Sequence, residues 1–385
     1  MASKKSTQKK IHKQATSAMN QMAKRNPKGF LILMCILAVV AVIGGVGFLI
    51  YQNSQKKDPP PADTNMSITF MELGNKNNGD SIFIKVGDID ILIDAGSTKS
   101  SSKTLANYID AHITDNKLEY VIVTHAHEDH IAGFVGTNQP DEQGLLKRYE
   151  IGTLIDFPKH NTESQLYNSY VSIRDERISL GKIGCHYTAL ECINETNGAK
   201  KEYTLDKGVT MEILDQRYYR DNSSSENNYS VCTLFKQGPA KYLFTGDLES
   251  SGETSLLEKN PSLGKVNLFK AGHHGSSTAN STNFLDVIKP DVVCISCVAG
   301  YNEYHSAVEN IFPSQAAINS IGRYTDNVYV TTQINSDNTD GISMNGTITY
   351  KSNDGTDYEL VCSNNSTKLK DTTWFLQNRT WPQKS

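Results

Sequence analysis

Residues 120–134 read Tyr-Val-Ile-Val-Thr-His-Ala-His-Glu-Asp-His-Ile-Ala-Gly-Phe. Aromatic and β-branched residues run straight into His125, His127, Asp129 and His130, so three of the chain's ten histidines fall within six positions. A strand that ends in a tight loop of imidazoles and a carboxylate suits a metal ion, because the ligand atoms must converge from short, rigid backbone. Unrelated surface histidines account poorly for such clustering.

The pattern on either side predicts layers. Upstream, 67–73, 81–86 and 89–93 are short strand-like runs divided by Gly, Asn and Asp turns, and 101–113 has helical spacing through Leu105, Tyr108, Ile109 and Ile113. Downstream, strands are expected at 153–157, 209–214, 229–236, 241–244, 265–270, 291–298 and 327–332, with helices at 164–179, 250–259, 282–288 and 314–321. Residues 342–362 look like a closing hairpin about Asn353-Asp354-Gly355, and the tail 366–385 has no assignment. Two sheets with helices outside, in one domain from about 66 to 365, is the expected architecture.

Charge divides the chain. Residues 1–28 hold eight of its 38 basic residues and none of its 42 acidic ones, so the remainder carries a net −12. So acidic a body excludes broad, non-specific binding to polyanions, although not a local cationic site built on metal. Residues 30–51 form an uncharged, largely apolar run long enough for one bilayer-spanning helix. The basic tail 1–29 should stay in the cytoplasm, placing the linker 52–65, with its three prolines, and the domain outside, as a single-pass protein of the cell membrane. Cys294 and Cys297 lie three apart in a strand-like run and should point to opposite faces, as buried or free thiols.

Four strand-end motifs accumulate: Asp94-Ala-Gly, the His125 loop, Gly246-Asp247, and His273-His274-Gly-Ser. His125-Ala-His127-Glu-Asp129-His130 resembles the His-x-His-x-Asp-His signature of the metallo-β-lactamase-fold hydrolases. Gly79-Asp80-Ser81, Lys270-Ala-Gly-His273-His274 and Asn302-Glu-Tyr304-His305 make 66–362 similar to the extracellular hydrolase domain of DNA-internalisation competence proteins. The resemblance implies an α/β (α+β) fold, a four-layer αββα sandwich, here preceded by a transmembrane helix. It implies two divalent ions, Zn²⁺ or Mn²⁺. His125 and His127 would hold the first, Asp129, His130 and one of the histidine pair (His273 by preference) the second, with Asp247 bridging. Asp94 would orient a ligand histidine. Asn228 stands where the superfamily commonly has another histidine, as a weak ligand, with His186 a fallback. Residues 75–78 interrupt a family motif that is usually more compact.

The activity so implied is hydrolysis by a metal-bound hydroxide, with Asp129 or Asp247 orienting water and His274, His305 and Tyr304 available for proton transfer or oxyanion contact. A phosphodiester in nucleic acid or an envelope polymer is the expected substrate. The alternatives are a β-lactam, thioester or lactone hydrolase of the same fold, and a non-catalytic, metal-stabilised surface-binding module.

Overall fold

The computed structural model describes residues 65–383. The expected basic tail, membrane span and most of the linker lie outside the described residues; among the described ones no helix is long and apolar enough to cross a membrane.

Sixteen strands form two sheets of eight among the described residues. The first contains β1 (Met66–Phe70), β2 (Ile82–Val86), β3 (Ile89–Ile93), β4 (Lys117–Ile122), β5 (Glu150–Asp156), β6 (Ile183–Thr188), β15 (Ile348–Ser352) and β16 (Glu359–Cys362). Its order is β16-β15-β1-β2-β3-β4-β5-β6, antiparallel from β16 to β3 and parallel from β3 to β6. The second contains β7 (Glu202–Thr204), β8 (Thr210–Leu214), β9 (Cys232–Gln237), β10 (Ala240–Phe244), β11 (Leu268–Lys270), β12 (Val292–Ala299), β13 (Val328–Ile334) and β14 (Gly341–Ser343). They run in the order β14 to β7, with β10 to β13 parallel.

Strand periodicity assigns the layers. Along β10, Tyr242 and Phe244 face the core that includes Phe70 and Tyr350 of the first sheet, whereas Leu243 faces a second core with Leu256, Phe284 and Ile318 of the helices beyond. Successive side chains point to opposite faces, so one strand serves both cores. Phe70 meets Phe244 at 6.2 Å between ring centroids, and Tyr242 meets Tyr350 at 5.4 Å. Leu105, Ala106 and Ile109 of the helix Ser101–His112 close the outer side of the first sheet. The layers are those of the αββα sandwich that the sequence predicts.

Cys294 and Cys297 are both buried and free, in the first and second cores respectively, as their spacing implied. Burial pushes the Cys297 thiol up to about 12, so it is inert at neutral pH.

Several boundaries differ from expectation. The strand expected at 229–236 begins only at Cys232, because Glu226–Tyr229 coils into a 3-10 turn. The expected hairpin at 342–362 is split: β14 pairs with β13 in the second sheet, while β15 and β16 pair in the first. Strands β6 and β7 are not predicted by the pattern, because each is a sheet edge with alternation too weak to read. The tail carries a helix, Thr373–Asn378, capped by the Thr372 hydroxyl and seated through buried Phe375.

Candidate metal centre

The parallel strands β3, β4, β10, β11 and β12 are followed by the segments that carry Asp94, His125–His130, Asp247, His273–His274 and Tyr304, with Asp129 and His130 in the first turn of the helix Glu128–Val135. Backbone hydrogen bonds knit the first of these together. Asp80 N–H donates to the Asp129 carbonyl (3.1 Å), Ala95 N–H to the His130 carbonyl (2.8 Å), and Gly96 N–H to the Asp80 carbonyl (2.8 Å). The approach is close enough to require glycine. A Cβ on Gly96 would lie 1.5 Å from the Asp129 carbonyl oxygen, and one on Gly79 would lie 2.7 Å from Ser97 Cα.

The Asp247 carboxylate is the centre. Its Oδ2 lies 3.2 Å from His130 Nε2, 3.3 Å from His274 Nε2, 3.9 Å from His273 Nε2 and 4.0 Å from His125 Nε2. Asp129 Oδ2 sits 3.2 Å from His274 Nε2, and His127 Nδ1 sits 3.1 Å from His125 Nε2. Asp80, His130, Asp247 and His274 are all buried, with one potential ligand atom from each within 4.8 Å of the others.

Two groups orient the ring of His130. Its Nδ1 meets Asp94 Oδ2 at 2.7 Å, and Thr124 donates to Asp94 from both its N–H and its hydroxyl, each at 2.7 Å. This carboxylate–histidine pairing leaves Nε2 for a cation. His130 Nε2 and Asp247 Oδ1 are buried without a well-directed hydrogen bond, and the cluster mixes imidazole with carboxylate. Both observations fit a divalent ion.

The electrostatics point the same way. Burial drives the His125 imidazole well below its ordinary value, helped by His130 and His127, so it is neutral. Burial opposes the charged forms of His130 and His274, but the carboxylates around them win and hold both well above the usual range: Asp247, Asp94 and Asp129 for His130, and Asp247 and Asp80 for His274. Burial also raises Asp129 and Asp247; the imidazoles, His130 foremost, reverse this and keep both ionised. Protons on His130 and His274 and a divalent ion therefore compete for the same nitrogens. Binding of Zn²⁺ to chelator-treated protein should release protons, and apparent affinity should rise with pH through neutrality. An indicator dye in weak buffer reads the release; pH-independent affinity would contradict it.

Three expected placements change. His273 was preferred as the ligand, but His274 enters the buried cluster, with Nδ1 fixed by the Ser296 carbonyl (2.8 Å); His273 stands at the mouth, its Nδ1 2.9 Å from the Thr278 hydroxyl. Two consecutive residues in the left-handed region, His273 at φ 47° and His274 at φ 53°, redirect the rings. Asn228 does not face His125: its Oδ1 accepts from Glu249 N–H (3.3 Å) and its Nδ2 donates to Ser223 Oγ (3.1 Å). Its neighbour Asn227 reaches the site instead, with Nδ2 3.5 Å from His273 Nδ1. His305 packs on Phe312, 5.4 Å between centroids, and no hydrogen bond or ion pair joins it to the cluster among the described residues. The fallback His186 pairs with Asp156 (3.0 Å).

Nothing in the sequence pairs Asp80 with Lys270, yet the structure joins them. Lys270 is fully buried, its Nζ 2.5 Å from Asp80 Oδ2 and 3.6 Å from Asp247 Oδ1. A lysine that closes a strand gives no sign in the sequence of turning inward. Ser230 was likewise missed: its hydroxyl accepts from Asp247 N–H (3.1 Å) and lies 3.5 Å from His125 Nδ1.

Residues 74–136 match the family model of the metallo-β-lactamase superfamily. ComE operon protein 3 of Bacillus subtilis is 26% identical over 296 residues, covering 71% of this chain and 32% of that protein. Competence protein ComA of Neisseria gonorrhoeae is 33% identical over 105 residues, 27% of this chain and 15% of the relative. The chain thus spans about a third or less of the length of these relatives. The metallo-β-lactamase fold protein YhfI from Bacillus subtilis superposes with a TM-score of 0.40 at 11% identity, covering 71% of this chain and 96% of that one.

Proposed function

We propose that this metallo-β-lactamase-fold protein is a metal-dependent phosphodiesterase, anchored by the apolar run 30–51 and acting outside the cell membrane. The observation that carries the reading is Asp247 Oδ2, set within 4.0 Å of four imidazole Nε2 atoms. One carboxylate oxygen so placed can serve two cations at once. His125 and His127 would hold one with it, and Asp129, His130 and His274 the other. Two divalent ions, zinc or manganese, supply the positive charge that offsets a phosphodiester's non-bridging oxygens and activates water.

The chain's own groups do the rest. Asp129, ionised and hydrogen-bonded to the Tyr304 hydroxyl (3.3 Å), is placed to orient the attacking water. His273 is held below its ordinary range by burial and stands at the mouth, so its Nε2 can move a proton at neutral pH. The competence names of the relatives favour nucleic acid among phosphodiesters.

The test uses the full chain in detergent with Mn²⁺ or Zn²⁺, offered bis-p-nitrophenyl phosphate, single-stranded DNA and a chromogenic cephalosporin. Turnover of the phosphodiesters is expected and should vanish with chelator. Cephalosporin turnover alone would replace the reading with that of a lactamase, and no turnover of any substrate would leave a binding module.

A further inference from the structure

We propose that Glu303 is a positioning residue, which fastens the loop 300–312 to the turn 75–78 and thereby holds the Tyr304 hydroxyl on Asp129 at the mouth of the metal centre. Its kinetic consequence rests on the phosphodiesterase reading; its structural consequence does not.

The loop is tied at both ends. Gly300 N–H donates to the Phe312 carbonyl (3.0 Å), and the Arg379 guanidinium donates to the carbonyls of Val308 (2.9 Å), Ile311 (2.7 Å) and Pro313 (3.0 Å). Between these ties, residues 302–306 make no backbone hydrogen bond among the described residues. Glu303 supplies what the backbone lacks. Its Oε1 accepts from Asn77 Nδ2 (2.6 Å), and its Oε2 accepts from Asn78 N–H (2.7 Å) and Asn78 Nδ2 (2.8 Å). Hydrogen bonds to an ionised acceptor are the short, strong kind, and a carboxylate is the side chain that accepts at both oxygens and donates at neither.

The turn that receives it is stiff. Asn75 Oδ1 accepts from Asn77 N–H (2.9 Å) and Ser97 Oγ (2.9 Å), and buried Asn78 accepts through Oδ1 from Val298 N–H (2.8 Å). Residues 75–78, which lengthen a usually compact motif, thus form a receptor for Glu303. The next residue, Tyr304, is 52% exposed, so burial does not fix it. Its hydroxyl nevertheless reaches Asp129 Oδ2, the oxygen that also faces His274. A pinned tip one residue away makes that contact persistent.

Two measurements on the full chain in detergent test this. In Glu303→Gln an amide would confront the Asn donors, so exchange of the Asn78 amide, which donates to Glu303 Oε2, should quicken at least about tenfold while the rest of the domain keeps its protection. Unchanged exchange there overturns the proposal whether or not the protein turns over a phosphodiester. Should Glu303→Gln fail to fold, Asn77→Ala, which removes one of the three bonds, should quicken the same Asn78 amide by a smaller factor; no change in Asn77→Ala overturns it too. With Mn²⁺ and bis-p-nitrophenyl phosphate, Glu303→Gln and Tyr304→Phe should each lower kcat about tenfold, and the double variant no further than Tyr304→Phe alone. Multiplying losses would show that Glu303 acts otherwise than through Tyr304 and would sink the proposal. An inactive wild type with quickened exchange in the variant would sink the phosphodiesterase reading alone.

Discussion

Asp247→Ala is expected to abolish metal-dependent hydrolysis, lowering kcat/KM by at least about 10³-fold, and to leave less metal bound per chain. Removing one preorganised charge from a reacting centre costs about 10²–10³-fold. Asp247 should exceed that, because its Oδ2 faces four imidazoles and the substitution would loosen both metal positions together. The fold should survive, since Asp247 contributes to the site rather than to either apolar core. Metal analysis after dialysis and circular dichroism check the two halves of this expectation. Full metal content with full activity would remove Asp247 from the centre.

Lys270→Met should have the largest effect on stability. The ammonium is buried against Asp80 and Asp247 and donates to the carbonyls of Gly246 (3.0 Å) and Ala271 (3.2 Å). Burial disfavours its charge, yet Asp80 and Asp247 more than offset this and hold it above the ordinary lysine range. Methionine fills similar space but removes the ammonium from two buried carboxylates and leaves their charge to the neighbouring imidazoles, a change that costs about 3–5 kcal/mol. Urea unfolding of chelator-treated protein should show the loss, and added Zn²⁺ should restore part of it by supplying positive charge. A variant as stable as wild type in chelator would show that the lysine does not balance these carboxylates.

The sequence made the scaffold and half the site legible because both are written locally. Alternation such as Tyr242-Leu243-Phe244 reports a strand buried on both faces, and His125, His127, Asp129 and His130 fall within six residues, across one strand-to-helix turn. What stayed hidden depends on backbone direction or on contacts distant in the chain. The choice between His273 and His274 turns on two left-handed residues, and that between Asn227 and Asn228 on a 3-10 turn. Neither has a side-chain signature. Asp80 joins the centre because Gly79 and Gly96 let their loops approach Asp129, a closeness no local pattern announces. Glu303 finds its partners more than two hundred residues away.

The tight approach of Gly79 and Gly96 to the main chain of Asp129 bears on how such a centre changes over time. The loops are held by amide and carbonyl groups, which every residue possesses, at a spacing set by the absence of two β-carbons. Ligand side chains hang from this lattice without building it. Divergent descendants can therefore exchange an imidazole for an amide or a hydroxyl, and so acquire new metal preferences, while their loops keep the same course. The converse exchange is barred: a methyl group at Gly96 would collide with the Asp129 main chain and part the segments that carry Asp94 and Asp129, so innovation is channelled into the side chains.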